Sequence, residues 1–308
     1  MQILVTGASG AIGSALLPAL SGDGHTIRAF ARDRARLPAT AFDEVVIGDA
    51  VTGAGLTRAL DGIDVAYYLI HSMEPVRGGA ASFAAREIGA ADRFAEAARA
   101  AGVRRVVYLG GITPAHNHGS EHLRSRLAVE QALLASAPEA VALRASIVIS
   151  AASRSFRFLV RLVERVPLLP LPSWRDNRTQ PIDGRDVVAY LRAAGLSRVV
   201  DGPLSVDVAG PDMVSYGDLV ERIRDGLLVG RPRLKLPFSL TPVASVVAAA
   251  IAGENVELIA PLMAGLGDDL LPRDDRAQQL FPLRLHRIDA AIERSLRDWE
   301  ATEPLAGR

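Results

Sequence analysis

The chain has 308 residues, 49% of them apolar, with 35 basic residues against 35 acidic ones. That length allows one large α/β unit or two domains, and the balanced charge offers no electrostatic basis for nucleic acid or an anionic membrane surface as a partner. Cysteine is absent, which excludes disulfides, thiolate metal sites and cysteine nucleophiles, and Lys235 is the single lysine, so any mechanism needing a lysine elsewhere is excluded as well.

Residues 2–5 read as a short buried strand, followed by Thr6-Gly7-Ala8-Ser9-Gly10-Ala11-Ile12-Gly13 and then an apolar helix over 14–20. Three glycines three residues apart between strand and helix meet a specific need. Gly7 makes the tight turn, Gly10 lets backbone approach a pyrophosphate, and Gly13 lets helix pack on strand, with the helix N-terminus aimed at the anion. Ser9, Ala11 and Ile12 complete the expected cradle for a dinucleotide.

A second strand over 25–31 ends at Arg32-Asp33-Arg34-Ala35-Arg36. An acid at this strand end bonds the ribose 2′-hydroxyl of NAD, whereas an arginine accommodates the 2′-phosphate of NADP. Arg32 therefore points to NADP(H), while Asp33 keeps NAD(H) open. The third strand, 44–47, closes on Gly48-Asp49, and Asp49 is a candidate partner for the adenine amino group, with a turn or helix cap as the alternative.

A short helix over 56–60 precedes a continuously apolar fourth strand, 65–70, ending at Ile70-His71-Ser72. In open α/β sheets ligands bind outside the carboxyl ends of the strands, which places Ile70, His71 and Ser72 at the rim of the cofactor cleft. A long Ala-rich helix spans 83–102 with Gly102 as its C-cap, and the fifth strand, 103–109, is followed by Gly110-Gly111. His116 and His118 lie in the next loop without a third ligand at a sensible spacing, so no metal site is expected. A helix over 121–136 and a sixth strand over 141–149 complete the alternation.

This rhythm predicts an α/β fold of Rossmann type, a doubly wound parallel sheet joined by right-handed crossovers, over residues 1–150. Beyond 150 the rhythm breaks. A basic apolar helix (156–166), a Pro-rich stretch, a return helix (186–196) and a strand over 204–209 lead to helices at 216–228, 242–252 and 256–266. Residues 180–210 are expected to rejoin the sheet, and 151–179 with 211–308 to form a smaller, mainly helical substrate domain in which Phe156, Trp174, Leu262 and Met263 are either pocket lining or core. The most apolar run, 241–253, is too short to span a bilayer and is followed by Glu254 and Glu257. No membrane span is expected. No charged leader precedes the first strand, which makes the cytoplasm the default compartment. Monomer and homodimer are equally compatible with these features.

The glycine turn, the Val-Val-Tyr-Leu-Gly-Gly strand (106–111), Gln180-Pro181-Ile182 before Asp186, and Phe281-Pro282-Leu283 with Ile292-Glu293-Arg294 resemble extended and atypical short-chain dehydrogenase/reductases. The segments 67–73 and 122–126 resemble the NmrA-like NAD(P)H-binding branch. The resemblance implies a Rossmann domain for NAD(P) and a C-terminal substrate domain. It also implies a Tyr-x-x-x-Lys helix and a Ser or Thr at the fifth strand's end, and in this chain His122, Arg126 and Gly110 or Gly111 stand at those places. Arg126 is then expected to bond the nicotinamide ribose, though a guanidinium is no simple replacement for an amine. His122, four residues earlier on the same helical face, is the candidate proton donor, with His71 as a second. The expected function is an NADP(H)-dependent oxidoreductase of atypical type acting on a small, fairly apolar carbonyl or enone compound. The alternatives are an NmrA-like NAD(P)H-binding regulatory or redox-sensing protein without catalysis, and an isomerase, epimerase or dehydratase using bound NAD(P).

Overall fold

The computed structural model describes residues 1–39, 41–70, 79–113, 121–235 and 265–307. Strand β1 (Gln2–Thr6) has four consecutive buried residues and lies inside a seven-stranded sheet, with strands on both sides. A strand covered on both faces has no polar side to alternate with, which is why it reads as one apolar run. The chain runs through α1 (Ala11–Ser21) to β2 (Thr26–Ala31) and β3 (Glu44–Ile47), then by α2 (Leu56–Leu60) to β4 (Val65–Tyr68). Helix α3 (Gly79–Ala100) leads to β5 (Arg105–Gly111), and α4 (Glu121–Leu134) to β6 (Val141–Ala145). After β7 (Val148–Ile149), α5 (Arg154–Arg165), β8 (Leu169–Leu171), β9 (Arg178–Thr179) and β10 (Ile182–Asp183), helix α6 (Gly184–Leu196) returns the chain to β11 (Leu204–Val208).

The sheet order is β11-β6-β5-β4-β1-β2-β3, parallel throughout. Successive strands run outward from β1 on one side and from β4 on the other. The switch point between them is where an open α/β sheet leaves a crevice at its carboxyl edge.

Helix α3 buries Glu87, Ala90, Ala91, Phe94, Ala95 and Ala98, a stripe with helical spacing. It stops because Gly102, at φ +68°, turns the chain so that its own N–H meets Arg99 O and the N–H of Val103 meets Ala98 O. Adjacent tyrosines of β4 point to opposite faces. Tyr68 meets Phe94 edge-on at 4.9 Å under α3, whereas the Tyr67 hydroxyl donates to Leu191 O of α6 at 3.3 Å, where Gly195 leaves it room.

Three strand ends differ from the expected ones, each for a local reason. β4 stops at Tyr68 rather than 70, because the Leu69 N–H leaves the ladder for the Thr6 hydroxyl. β5 begins at Arg105 and includes Gly110 and Gly111, which pair with Arg144 and Ala145 instead of forming a loop. The expected sixth strand is two: β6 ends at Ala145, and β7 pairs with β10 in a separate two-stranded sheet. β11 joins β6 as the seventh strand of the sheet.

A second core lies beside this one. Helix α5 buries Phe156, Phe158, Leu159, Val160 and Val163 against α7 (Tyr216–Gly226) and α9 (Ile288–Glu300), with Trp174, Leu219, Ile223, Ile292, Leu296 and Trp299. Strand β12 (Val214–Ser215) enters α7 through a capping box of Ser215 and Asp218, and β13 (Arg233–Lys235) pairs with β8. Phe156 and Trp174 belong to this core. Ala277 and Phe281, on and just after α8 (Arg276–Leu280), pack instead with the sheet core. The expected helices at 242–252 and 256–266, with Leu262 and Met263, fall outside the described residues except at the last two positions, where Gly265–Gly267 is a 3₁₀ turn. No described helix is long and apolar enough to cross a membrane.

One buried cation ties the layers together. Arg105, 2% exposed, donates to the Ala194, Gly195 and Ser197 carbonyls at the C-terminus of α6 at 2.7–3.0 Å and to Glu139 at 2.6 and 3.0 Å. The charge satisfies carbonyls that a helix end leaves open and complements its dipole. Arg105→Met should cost about 3–5 kcal/mol, because Glu139 and the three carbonyls lose their shared donor; a denaturant midpoint unchanged from the parent would refute this.

Candidate functional site

The glycine turn sits at the carboxyl end of β1, against the end of β4. The Thr6 hydroxyl, fully buried, donates to Tyr67 O at 2.9 Å and accepts from Leu69 N–H at 3.3 Å, stitching the two strand ends together. Gly7 turns at φ +64°, and a Cβ there would stand 2.5 Å from Leu69 O. The Gly10 N–H returns to Gly7 O at 2.9 Å, closing the turn. A Cβ on Gly13 would overlap the Gly7 carbonyl oxygen. Gly7 and Gly13 are therefore required by backbone contact, not by turn preference alone.

Gly10 is the N-cap of α1, and no side chain caps it; the first turn carries no acid. Ser9 and Gly10 are exposed, Ala11 and Ile12 half-buried, with Ile12 packed on the sheet core. Uncapped amide N–H groups in an exposed turn, at the positive end of the helix dipole, suit an anion. The turn thus fits the diphosphate of a dinucleotide. It could hold one with Gly7, Ser9, Gly10, Ala11, Ile12 and Gly13.

Along the rim, Arg32 follows the last residue of β2 and is exposed. Beside it, exposed Asp33 accepts from the Ala35 N–H at 2.9 Å through one carboxylate oxygen and caps a 3₁₀ turn, Arg34–Arg36. Asp49 accepts from the Val51 N–H at 2.8 Å through one carboxylate oxygen, and its backbone bridges to Ala54. Ile70 is half-buried beside Gly7, its amide nitrogen 3.2 Å from where a Gly7 side chain would begin. His71, Ser72, His116 and His118 lie outside the described residues. No group of acids and histidines among the described residues could hold a metal ion.

On the other side of the switch point, α4 brings Arg126 to the end of β5. Its guanidinium donates to Leu109 O at 2.7 Å, lies over the Tyr108 ring at 5.3 Å and stands 3.9 Å from the Glu87 carboxylate on α3. The side chain is only 11% exposed and Glu87 only 5%. Burial pushes the Tyr108 hydroxyl up to about 12, the nearby Arg126 charge opposing it; the ring is a neutral platform for the cation. Gly110 serves that platform: a Cβ there would be 3.0 Å from the Tyr108 ring. His122 belongs to α4 one turn before Arg126; its side chain is outside the described set.

Glu87, Tyr108 and the Leu109 carbonyl are parts of the site that sequence reasoning missed. A buried acid at helical spacing with the alanines of α3 was the available signal for Glu87. Only the packing of α3 on α4 shows its partner.

Residues 7–152 match the family described as NAD(P)H-binding. A 3 beta-hydroxysteroid dehydrogenase/Delta 5-->4-isomerase of Mycobacterium tuberculosis is 35% identical over 115 residues, which cover 35% of this chain and 30% of that protein, so under a third of the relative's length is matched. The crystal structure of gox2253 superposes with a TM-score of 0.76 at 18% identity, covering 97% of each chain. MoeE5 in complex with UDP-glucose and NAD gives 0.72 at 20% identity, covering 98% of this chain and 99% of its own. These likenesses extend the fold over almost the whole chain. Residues 7–152 are thus an NAD(P)H-binding domain, set in a fold that almost the whole chain shares with these structures.

Proposed function

We propose that this protein is an NADP(H)-dependent oxidoreductase acting on a small, fairly apolar carbonyl or enone compound. The observation that carries the reading is an uncapped glycine cradle at the end of β1 facing, across the switch point, a cation seated at the end of β5. The nicotinamide, when bound, supplies or accepts the hydride, and the protein supplies orientation and a proton. The turn at Gly7–Gly13 would hold the diphosphate, and Arg126, fixed by Leu109 O and Glu87, would bond the nicotinamide ribose. His122, one turn away, is the proton donor, and His71 the second candidate. Arg32 at the end of β2 would meet a 2′-phosphate, a reading supported by the engagement of Asp33 in its own turn. The apolar substrate class is supported by the partial relative named as a hydroxysteroid dehydrogenase.

A second reading has one specific feature in its favour. The single lysine, Lys235, is preceded four residues earlier by Arg231, so the chain holds no Tyr-x-x-x-Lys at all. A protein that binds NAD(P)H and presents the bound state to a partner needs no such pair.

Gly13→Ala should abolish NADPH and NADH binding in titration calorimetry, since the added methyl displaces the Gly7 carbonyl. Parent-like affinity would refute the cradle. The parent should bind NADPH about tenfold more tightly than NADH, the worth of a charged hydrogen bond, and Arg32→Ala should erase the difference; equal affinities in the parent would exclude the NADP preference. Nicotinamide absorbance with a panel of ketones and enones decides between the readings. Turnover that His122→Ala lowers by about 10²-fold or more supports catalysis, and bound NADPH that no panel member oxidises supports the second.

A further inference from the structure

Helix α4 carries Glu130 one turn beyond Arg126, on the same face. Glu130 is 3% exposed, and Arg144, at the middle of the β5–β6–β11 strand ends, grips it with a fork: Nε at 2.8 and 3.1 Å and one terminal nitrogen at 2.6 Å. Ser205 of β11 donates to the same carboxylate at 2.7 Å. Arg144 pairs in register with Gly110 on one side and Asp207 on the other. It is also 3.6 Å from the Asp207 carboxylate. Asp207 in turn accepts from the Arg273 N–H at 2.9 Å, and the Arg273 guanidinium donates to Thr113 at 2.5 Å.

An ion pair this deep is poor evidence of stability, because desolvating both charges offsets most of their attraction. Its geometry does something else. A bidentate fork fixes the rotation of a helix about its axis more narrowly than apolar contact does. The helix so fixed presents Arg126 one turn away, at the end of β5, over the platform ring of Tyr108, from which a Cβ at residue 110 would stand 3.0 Å. The hydrogen bonds that Arg144 donates to Glu130 also raise its pKa above the ordinary arginine value, so the grip keeps its charge.

We propose that Arg144 and Glu130 are positioning residues that act through Arg126 on the nicotinamide half of the bound dinucleotide. The proposal rests on the assignment of Arg126 to the nicotinamide ribose and not on turnover. The adenine half, held at the glycine turn and the end of β2, lies outside their influence.

The full chain should be titrated with NADPH and 2′,5′-ADP, and with NADH and ADP, taking the pair that binds more tightly. In Arg144→Lys the dinucleotide should weaken about tenfold while its adenine half binds as in the parent. Arg126→Ala should show the same split, and Arg144→Lys added to Arg126→Ala should cause no further loss, the signature of a residue acting through another. Arg144→Met/Glu130→Leu, which replaces the ions by apolar groups of similar bulk, guards against misfolding and should show the split with a parent-like melting curve. An unchanged dinucleotide-to-adenine-half ratio in Arg144→Lys, or an equal loss in the Arg126→Ala background, overturns the proposal. An Arg126→Ala variant with the parent's ratio overturns it too, by removing the contact on which it rests. A protein that shows the split but oxidises no NADPH leaves the positioning role standing and counts only against the oxidoreductase reading.

Discussion

The contact between the turn after β1 and the carbonyl of Leu69 is the constraint on which the rest of the architecture depends. Backbone meets backbone there with no space for a side chain at Gly7 or Gly13, and the buried Thr6 hydroxyl joins the two strand ends. That closeness sets α1 directly over the switch point with its N-terminus uncapped. A side-chain cap would satisfy the helix end by itself, so its absence leaves amide donors available to an anion. The same few contacts thus define the fold's centre and its binding edge.

From that centre the two faces of the sheet are built differently. Tyr67 faces α6, which is held by Arg105 at its C-terminus and, at its N-terminus, by Asp186 accepting from the His286 amide and meeting its ring nitrogen at 2.7 Å. Tyr68 and Tyr108 face α3 and α4, where aromatic rings form a dry floor under Arg126. A guanidinium over a ring, a carbonyl oxygen and a carboxylate is a fixed charge in a fixed place. A lysine ammonium at this point would be a mobile point charge. An arginine here offers donors in a fixed geometry and lacks the easily shifted pKa of an amine.

Much of the first half was legible in the chain itself. Glycine spacing, continuous apolar runs and the Gly102 cap carry their own stereochemistry, so β1, β3, α2 and the order of alternation are read correctly from local pattern. Strand ends were read less well, because they depend on partners. Gly110 and Gly111 look like a loop in isolation and become strand only beside Arg144 and Ala145; the expected sixth strand breaks at 146–147, where the Ile147 carbonyl accepts from the Ile182 N–H.

Local chemistry in the sequence determined that a helix N-terminus would meet a glycine turn, that Arg126 and Glu130 would share a helical face, and that no Tyr-x-x-x-Lys pair exists. Those features depend on covalent spacing and on residue types, which need no neighbours. Tertiary structure decided which of the chain's many arginines matter. Arg105 caps α6, Arg126 reaches Leu109, Arg144 grips Glu130, and Asp33 and Asp49 spend a carboxylate oxygen on their own turns. Those assignments depend on distances between elements far apart in sequence, and pattern carries no record of them.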